Sequence, residues 1–321
     1  MYNIAIIGAG QLGSRHLQGL MKSTLDLNIA VVDPLESSLA VAKQRAGEIP
    51  RGKNKINVNY FTVISELQRT IDFCIVATNS DVRLRVLKEV ADRSDVKNML
   101  LEKVLFQDLA SYDIAQDLLT EKKIKAWVNS GWRNFPFLKE IRNEVRAPSK
   151  MTYVVTGGRW GLACNTIHNM DLLSCLSGIQ DFTLDISAIE KIIPSKRNGF
   201  YEMIGTLICR QSNGSVMLLN SRDIDSIDMN FHITSDDYEW NIDGIRLSAI
   251  RTSMVSAEPV VSKPYSYPYQ SDTTNIQCHN VLSGNDPDLP SFSFSAKQHK
   301  TMITAFTSVF QKFGIPGCPI T

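Results

Sequence analysis

The sequence has no surplus of charge of either sign. Its 321 residues contain 34 Lys and Arg against 33 Asp and Glu, which gives a formal net charge of +1 at pH 7. Such a balance provides no electrostatic reason to bind nucleic acid or an anionic membrane surface. We therefore expect neither of them as a partner.

Long apolar runs and paired cysteines are absent as well. No segment approaches the length of about 20 apolar residues that crosses a bilayer. The apolar run at the N-terminus has no basic region before it, so we expect a first strand there and not a signal peptide. The six cysteines form no CxxC pair, which disfavours a disulfide framework or a zinc site. These features predict a cytoplasmic protein with reduced thiols and no bound metal.

The first part of the chain has an α/β pattern. Short apolar runs alternate with amphipathic segments, from a strand at 3–7 to a strand at 126–129. Between them we predict, among others, strands at 27–32 and 73–76 and a short helix at 63–69. Apolar strands separated by helices are typical of a parallel sheet that is covered on both faces. We predict a Rossmann domain with a doubly wound parallel sheet over residues 1–127. Because the chain is too long for one ordinary core, a second domain is predicted over residues 128–321.

The pattern changes in the second part. After residue 182 strands follow one another without intervening helices, and Asn213-Gly214 is the strongest hairpin signal. Consecutive strands predict an antiparallel sheet, and so an α+β domain. Helices are predicted at 135–146, 166–176 and 296–312. The segment 256–290, rich in Ser, Pro, Tyr and Asp, is predicted to be a loop that serves as a lid or an oligomer arm.

A GxGxxG motif follows the first predicted strand and opens the first helix. Gly8 permits a tight turn, Gly10 lets a pyrophosphate approach the backbone, and Gly13 allows the helix to pack closely. Asp33, at the end of the second strand, is expected to accept hydrogen bonds from the adenosine ribose. Its carboxylate would repel a 2′-phosphate, which favours NAD over NADP. Turn glycines and a loop-capping Asp33 are the alternative, but they leave the flanking strand and helix unexplained.

Five motifs occur in a characteristic order: GxGxxGxxH ending at His16, Ala77-Thr78, Glu102-Lys103, the segment 161–171, and the C-terminal segment 314–321. Together they resemble the glucose-fructose oxidoreductase / inositol dehydrogenase / MocA (Gfo/Idh/MocA) oxidoreductase family. The resemblance implies a C-terminal α+β domain built on a large open antiparallel sheet, through which homodimers or homotetramers pair. It also implies oxidation or reduction of a hydroxyl-bearing carbon on a sugar, nucleotide-sugar or cyclitol. The predicted cofactor-binding residues are Gly8, Gly10, Gln11, Leu12, Gly13, Asp33, Thr78, Asn79, Glu102 and Lys103.

Four positions depart from the pattern of that family. Val104 and Asn79 each stand where the family has a proline, and Arg83 stands at the place of a histidine. Cys164 replaces the aspartate that usually precedes the family's histidine, here His168, by four residues. The usual arrangement for proton transfer is therefore incomplete in this chain.

Lys103, His168 and Asp171 are the predicted catalytic residues. Lys103 is expected at the mouth of the nucleotide crevice, where an ammonium can hydrogen-bond the reacting hydroxyl. His168 is the candidate general acid or base, because histidine side chains in general can exchange a proton near neutral pH. Asp171 shares its helix face and can orient the imidazole. The alternatives are a solvated lysine, paired with Glu102 or with water, and a structural histidine.

Substrate contacts are predicted for segments that follow strands. Guanidinium groups suit a phosphate or carboxylate, and an indole face suits a pyranose or a base. Salt bridges and core packing are equally expected alternatives for these side chains. His16 is predicted to be a packing residue near the phosphates. The predicted substrate-binding residues are Arg133, Arg159, Trp160, Asn165 and His168.

Three functions remain open from the sequence. The first is an NAD(H)-dependent oxidoreductase, with polysaccharide or unusual-sugar biosynthesis as its setting, which the glycine motif, Asp33, Lys103 and His168 favour. The second is a non-catalytic dinucleotide- or sugar-binding regulatory protein, which Cys164 favours. The third is a reductase of an imine or a tetrapyrrole.

Overall fold

The structure, a computed structural model, describes residues 1–50, 52–226 and 228–321. Contacts between Cα atoms divide it into two compact units. The first unit consists of Met1–Phe106, Ala110–Gly131 and Pro268–Phe294. The second consists of Gln107–Leu109, Trp132–Tyr267 and Ser295–Thr321. The first unit therefore includes a late segment of the chain, which a single division at residue 127 does not provide for.

Strands and helices alternate at first, and strands dominate later. The strands are β1 Tyr2–Ile7, β2 Leu27–Val32, β3 Ile56–Phe61, β4 Thr70–Ile71, β5 Phe73–Val76, β6 Asp95–Val96, β7 Asn98–Leu101, β8 Lys125–Val128, β9 Thr152–Gly158, β10 Thr183–Asp185, β11 Ile189–Pro194, β12 Tyr201–Arg210, β13 Val216–Arg222, β14 Met229–Thr234, β15 Tyr238–Asp243, β16 Ser248–Ser253 and β17 Val261–Pro264. The α-helices are α1 Gln11–Leu20, α2 Glu36–Gly47, α3 Ser80–Arg93, α4 Leu109–Glu121, α5 Pro136–Glu144, α6 Leu162–Ser177, α7 Gln270–Leu282 and α8 Phe292–Lys312.

The first unit is built on a six-stranded sheet in the order β3-β2-β1-β5-β7-β8, and all of its neighbouring strands are parallel. The residues of β5 are all buried, as are the last four of β1. Such strands are apolar without alternation because helices cover both faces of a parallel sheet. The predicted doubly wound α/β fold is confirmed. In this strand order, ligands bind beyond the carboxyl ends of the central strands.

The second unit contains a nine-stranded sheet in the order β10-β12-β13-β9-β14-β15-β16-β17, with β11 also paired to β12. Its pairs are antiparallel except for β9 with β13, which are parallel. The sequence predicted only antiparallel pairing. Parallel neighbours need a long crossover, and the chain from β9 through α6 to β13 supplies one. The sheet is therefore mixed, and α6 packs on it at β12 and β13.

The prediction of a loop over the whole segment 256–290 is wrong. The segment contains β17 and the helix α7, and α7 packs against α1 in the first unit. The approach is close, since a Cβ atom on Gly19 would lie 2.8 Å from the Cβ of Thr274. At the start of α7, the backbone N–H of Tyr269 donates to the Asp272 carboxylate at 3.0 Å. This local cap and the contact with α1 stabilise a helix whose sequence is mostly polar.

Three other boundaries differ from the prediction. Helix α6 begins at Leu162 and not at residue 166, and α8 begins at Phe292 and not at residue 296. The short helix predicted at 63–69 is a single 3₁₀ turn at Ile64–Glu66. Across the described residues, every helix is too short or too polar to span a lipid bilayer.

Candidate functional site

The glycine motif forms the turn between β1 and α1. Gly8 has φ +94°, a conformation that favours glycine. A Cβ atom on Gly13 would lie 1.7 Å from the carbonyl oxygen of Gly8, so only glycine lets α1 begin this close to the strand. A Cβ atom on Gly10 would meet nothing within 4 Å. The first and third glycines thus fix the turn, and the second leaves open space above the start of α1, where free N–H groups favour an anion.

Asp33 lies at the carboxyl end of β2 and is 8% exposed. Its carboxylate is held by two backbone N–H groups, those of Ala9 at 2.7 Å and Leu35 at 2.9 Å. The first of these contacts joins the carboxylate directly to the glycine turn. A carboxylate can accept about four hydrogen bonds, so both oxygens retain acceptor capacity for hydroxyl groups of a ligand.

A cavity of about 510 Å³ runs along the carboxyl ends of β1, β2 and β5. Its lining includes Gly8, Gly10, Asp33, Thr78 and Asn79. The Thr78 Oγ1 atom is buried and has no hydrogen-bond partner in the described part of the chain. A buried hydroxyl without a partner indicates a place where a ligand atom completes its hydrogen bonds. The open space at Gly10, the acceptor at Asp33 and this hydroxyl fit a bound dinucleotide.

Glu102 was predicted to contact the cofactor, but its carboxylate faces the interior of the first unit. The residue is 3% exposed, and its Oε1 lies 2.8 Å from His16 Nε2 and accepts from Asn129 Nδ2 at 2.6 Å. Burial alone would raise the pKa of this carboxyl group. Hydrogen bonds and charge from His16, the bond from Asn129 and the charge of Arg83 outweigh it, so the pKa lies below its ordinary value. Glu102 is thus a buried structural anion.

The network around Glu102 reaches the late helix α7. His16 is fully buried, as predicted for a packing residue, and its Nδ1 lies 2.9 Å from Thr274 Oγ1. Asn129, at the carboxyl end of β8, donates to Gln270 at 2.9 Å. These bonds join the helix after the glycine turn, the ends of β7 and β8, and α7. A fully connected buried polar network of this kind specifies one arrangement of its elements.

Lys103 follows Glu102 and is half-buried, two residues beyond the end of β7. The Lys103–Val104 peptide bond is cis. Arg83, from α3, donates hydrogen bonds to the carbonyl oxygens of Thr78, Val104 and Leu105. The sequence noted Arg83 only as a departure from a family pattern. The structure places it between the loops that follow β5 and β7.

In the second unit, His168 lies in the middle of α6 and is 8% exposed. The indole of Trp132 stacks on its imidazole, with ring centroids 4.9 Å apart and an interplanar angle of 9°. The neighbouring Arg133 forms a bidentate ion pair with the buried Asp171, with Nε 2.8 Å from Oδ2. The structure pairs Arg133 and Asp171 with each other, because a fully buried carboxylate requires a charge partner. The predicted roles of Asp171 in orienting His168 and of Arg133 in contacting substrate stay predictions.

Two predicted substrate contacts have structural roles. Trp160 is 4% exposed, and its Nε1–H donates to the carbonyl of Asn220 at 2.8 Å, so its buried indole has no free face for a sugar. Arg159 forms a surface ion pair with Asp223 at 2.8 Å. The predicted contact of Trp160 with substrate does not fit its burial, whereas that of Arg159 stays a prediction. Both were drawn from the end of one strand, where the sequence cannot distinguish a cleft from the core or the surface.

The start of α6 has a feature that the sequence did not reveal. Glu202 on β12 accepts the backbone N–H groups of Ala163 at 2.8 Å and Cys164 at 3.4 Å. A carboxylate at this end of a helix complements the helix dipole. Asn165 donates its side-chain N–H to the carbonyl of Trp160 at 2.8 Å. Its predicted contact with substrate stays a prediction. In the sequence, a cap from elsewhere in the chain is indicated by Gly161, the residue before α6, which has no side chain that could cap the helix.

Elsewhere in the described ranges, no group of three or more His, Cys, Asp or Glu side chains is arranged to hold a metal ion. The site features therefore belong to two sets. The first unit has the glycine turn, Asp33, Thr78 and Lys103, and the second unit has His168 with its aromatic and ionic neighbours. The strand order, the glycine turn and the acidic residue after β2 define the class of dinucleotide-binding Rossmann domains.

Comparison with known proteins supports this class. The sequence model of GFO_IDH_MocA, the oxidoreductase family with an NAD-binding Rossmann fold, matches residues 2–130. Residues 2–130 are thus similar to the NAD-binding Rossmann domain of this oxidoreductase family. No curated protein matches the chain.

Solved structures share the fold over nearly the whole length. UDP-N-acetylglucosamine 3-dehydrogenase GnnA from Acidithiobacillus ferrooxidans is 15% identical, with 94% of this chain and 95% of that chain covered and a TM-score of 0.69. A putative myo-inositol dehydrogenase from Sinorhizobium meliloti 1021 is 16% identical, with 97% and 98% covered and a TM-score of 0.65. An oxidoreductase from Agrobacterium radiobacter, in complex with NAD⁺, L-tartaric acid and magnesium, is 14% identical, with 94% of each chain covered and a TM-score of 0.69.

Proposed function

We propose that this protein is an NAD(H)-dependent oxidoreductase that acts on a hydroxyl-bearing carbon of a sugar, nucleotide-sugar or cyclitol. The match of residues 2–130 to an oxidoreductase family with an NAD-binding Rossmann fold supports the reaction class. Two of the structures that it resembles are named as dehydrogenases of a UDP-sugar and of a cyclitol. They support the substrate class, which is a proposal for this chain.

The observation that carries the proposal is the position of Asp33. Its carboxylate is fixed at the end of β2 by the N–H groups of Ala9 and Leu35, beside the glycine turn. A carboxylate held there accepts ribose hydroxyl groups and repels a 2′-phosphate. This favours NAD(H) as the cofactor over NADP(H).

Lys103 and His168 are proposed as the residues that act on the substrate. When bound, nicotinamide supplies the acceptor or donor of the hydride. The Lys103 ammonium hydrogen-bonds the substrate oxygen and stabilises negative charge that develops on it. The His168 imidazole takes or returns the hydroxyl proton. The stacked indole of Trp132 holds the imidazole in one orientation.

Cofactor binding is the first test. NADH and NADPH are titrated into wild type, Asp33→Ser and the control Asp117→Ser, which removes an exposed carboxylate from α4. We expect wild type and the control to prefer NADH by about tenfold or more, and Asp33→Ser to lose most of that preference. Folded wild-type protein that binds neither cofactor, or that prefers NADPH, contradicts the proposal.

Turnover is the second test. A panel of nucleotide-sugars, cyclitols and polyols is screened at the nicotinamide absorbance band, with wild type, Lys103→Met and His168→Asn. We expect one substrate class to change the absorbance, and both variants to bind NADH but to lose at least about a hundredfold in rate.

A second function is favoured by one specific observation. Cys164 stands where the resemblance expects an acid, and its thiol lies 3.6 Å from the carbonyl oxygen of Gly161. A chain that keeps the nucleotide site without this acid suits a non-catalytic dinucleotide- or sugar-binding regulator. Tight NADH binding without oxidation by any member of the panel, and rates that Lys103→Met does not change, would establish this alternative.

Self-association through the C-terminal sheet is proposed as well. The face of the sheet with Val154, Asn230, His232 and Ile250 carries a shallow groove of about 320 Å³. Several of its apolar neighbours are exposed, such as Ile245 at 70%. Apolar residues on an exposed sheet face support pairing of two copies. Light scattering of the purified protein is expected to give a dimer or a tetramer, and a monomer at micromolar concentration would contradict this.

A further inference from the structure

Arg83 is a buried cation in the first unit. It lies on the first turn of α3 and is 1% exposed. Its guanidinium donates to the main-chain carbonyl oxygens of Thr78, Val104 and Leu105. The distance from Arg83 Nη1 to the Leu105 oxygen is 2.8 Å. One side chain therefore joins two loops. The first loop carries Thr78 after β5, and the second carries Lys103 after β7.

This arrangement requires the shape of arginine. The guanidinium is a rigid planar fork with five N–H donors, whereas a lysine ammonium is a single point and an imidazole has two donors. Burying a charge costs several kcal/mol unless its donors are satisfied. Carbonyl oxygens from separate loops accept hydrogen bonds from Arg83 Nη1 and Nη2 only while the loops keep their relative position. The side chain thus constrains both loops at once.

The strand order shows which half of a dinucleotide these loops serve. A dinucleotide lies across the sheet with one mononucleotide half on each side of β1. Asp33 at the end of β2 marks the adenosine side. Strands β5 and β7 lie on the other side of β1, where the nicotinamide half belongs, so the loop with Lys103 serves that half. The loop after β5 reaches both halves, because Thr78 also lines the cavity that contains Asp33. The three carbonyl oxygens that accept hydrogen bonds from Arg83 belong to the loops after β5 and β7.

We propose that Arg83 is a positioning residue for the nicotinamide half of the cofactor site, where it fixes Thr78 and Lys103 relative to each other. This inference rests on the proposed function. It differs from a general structural role, because loss of the guanidinium is expected to disturb binding of the nicotinamide ring and to spare binding of the ADP-ribose part of the cofactor.

The experiment compares NADH with ADP-ribose, which lacks the nicotinamide ring, by calorimetry on the full-length protein. Arg83→Met keeps the length of the side chain and removes its N–H groups, and Arg83→Lys keeps the charge but not the fork. Arg93→Met is the matched control, since Arg93 is an exposed arginine at the other end of α3. The emission of bound NADH reports the surroundings of the reduced nicotinamide ring.

We expect Arg83→Met to weaken NADH binding about tenfold or more, while ADP-ribose binding stays within about twofold of wild type. Arg83→Lys is expected to fall between Arg83→Met and wild type, and Arg93→Met to match wild type. Bound NADH is expected to emit more like free NADH in the Met variant. If Arg83→Met does not fold, the ratio of the two affinities in Arg83→Lys decides.

The inference and the proposed function fail in different ways. If wild type binds neither ligand, the proposed function is wrong. If wild type binds both, and the ratio of the NADH and ADP-ribose affinities is unchanged in the folded Arg83 variants, the inference alone is wrong. An equal loss of both affinities also refutes it, because that is the effect of a general structural role.

Discussion

Replacement of single glycines by alanine separates the folding and binding roles of the glycine turn. Gly13→Ala places a Cβ atom 1.7 Å from the carbonyl oxygen of Gly8 and 2.8 Å from its carbonyl carbon. Both contacts are with backbone, so no side chain can rotate away and α1 must move from β1. Overpacking of this kind costs roughly 1–3 kcal/mol of folding free energy, and more where the backbone resists.

Gly10→Ala perturbs a different property. The new Cβ atom meets nothing within 4 Å, and the backbone at Gly10 has φ −62°, which any residue adopts. We therefore expect the free energy of unfolding to stay within about 0.5 kcal/mol of wild type. The methyl group would fill the space that the diphosphate needs, so the Kd for NADH is expected to rise about tenfold or more.

Gly47→Ala is the matched control. It adds a methyl group at the end of α2, where nothing lies within 4 Å. Because alanine is the better helix former, this variant is expected to be as stable as wild type or up to about 1 kcal/mol more stable, with unchanged NADH binding. Urea unfolding followed by circular dichroism measures stability, and fluorescence titration measures binding.

Two results would refute this reasoning. Equal stability of Gly13→Ala and Gly47→Ala would mean that α1 is not packed on the turn as described. NADH binding by Gly10→Ala with wild-type affinity would mean that the diphosphate does not lie at the open side of Gly10. The three variants together test the geometry and the ligand independently.

Three further predictions concern contacts within each of the two units. Glu102→Gln is expected to make the free energy of unfolding less dependent on pH at acidic pH. A carboxyl group whose pKa is lowered in the fold stabilises the protein above its ordinary value of 4.5, and this stabilisation is lost as the pH falls through the folded pKa. Unfolding at pH 3–6 measures the effect, with the exposed Glu190→Gln as the control. Glu202→Gln removes the charge that caps α6 and is expected to cost about 0.5–2 kcal/mol in urea unfolding, whereas equal stability with the same control would exclude a capping role. Gly19→Ala is expected to destabilise the protein by roughly 1–3 kcal/mol, because the new Cβ atom would clash with Thr274. Alanine by itself favours a helix, so a gain in thermal stability would mean that α7 does not pack at this position.

The parts of the fold that sequence predicted are those set by local pattern. The predicted strands at 27–32 and 73–76 coincide with β2 and β5, because fully buried strands leave continuous apolar runs. The glycine turn and Asp33 were placed correctly for the same reason, since their spacing is a local property of one βαβ unit. In these cases the chain within about 30 residues contains all the information that fixes the structure.

The parts that sequence missed depend on partners distant in the chain. Helix α7 has a buried face of Thr274, Gln277, Cys278 and Val281, which carries little apolar periodicity. Its polar positions are satisfied by residues such as His16 and Asn129, more than 140 positions earlier. The start of α6 depends in the same way on Glu202, which lies on a strand that follows the helix.

The same reasoning applies to the candidate site. A single sequence shows Asp171 as a neighbour of His168 on one helix face, but it cannot show that Arg133, 38 positions earlier, takes that carboxylate. The sequence marks Arg83 as an unusual residue, but its three acceptors are revealed only by the loops that fold around it. A buried charged group needs a partner. The sequence did not predict which distant residues are the partners of Asp171 and Arg83.

The buried network around Glu102 gives the first unit a physical reason to include a late segment. His16 and Asn129 hold the Glu102 carboxylate from α1 and from the end of β8, and both also bond residues of α7. If α7 moved away from this position, these buried polar groups would lose hydrogen-bond partners. Each unsatisfied group would cost roughly 1–3 kcal/mol of folding free energy. The residue before Lys103 is thus fixed by the helix of the glycine turn and by a helix from the other end of the chain. A ligand that binds at the glycine turn and at Lys103 must therefore stabilise α7 as well, because it favours the one arrangement in which this network is complete.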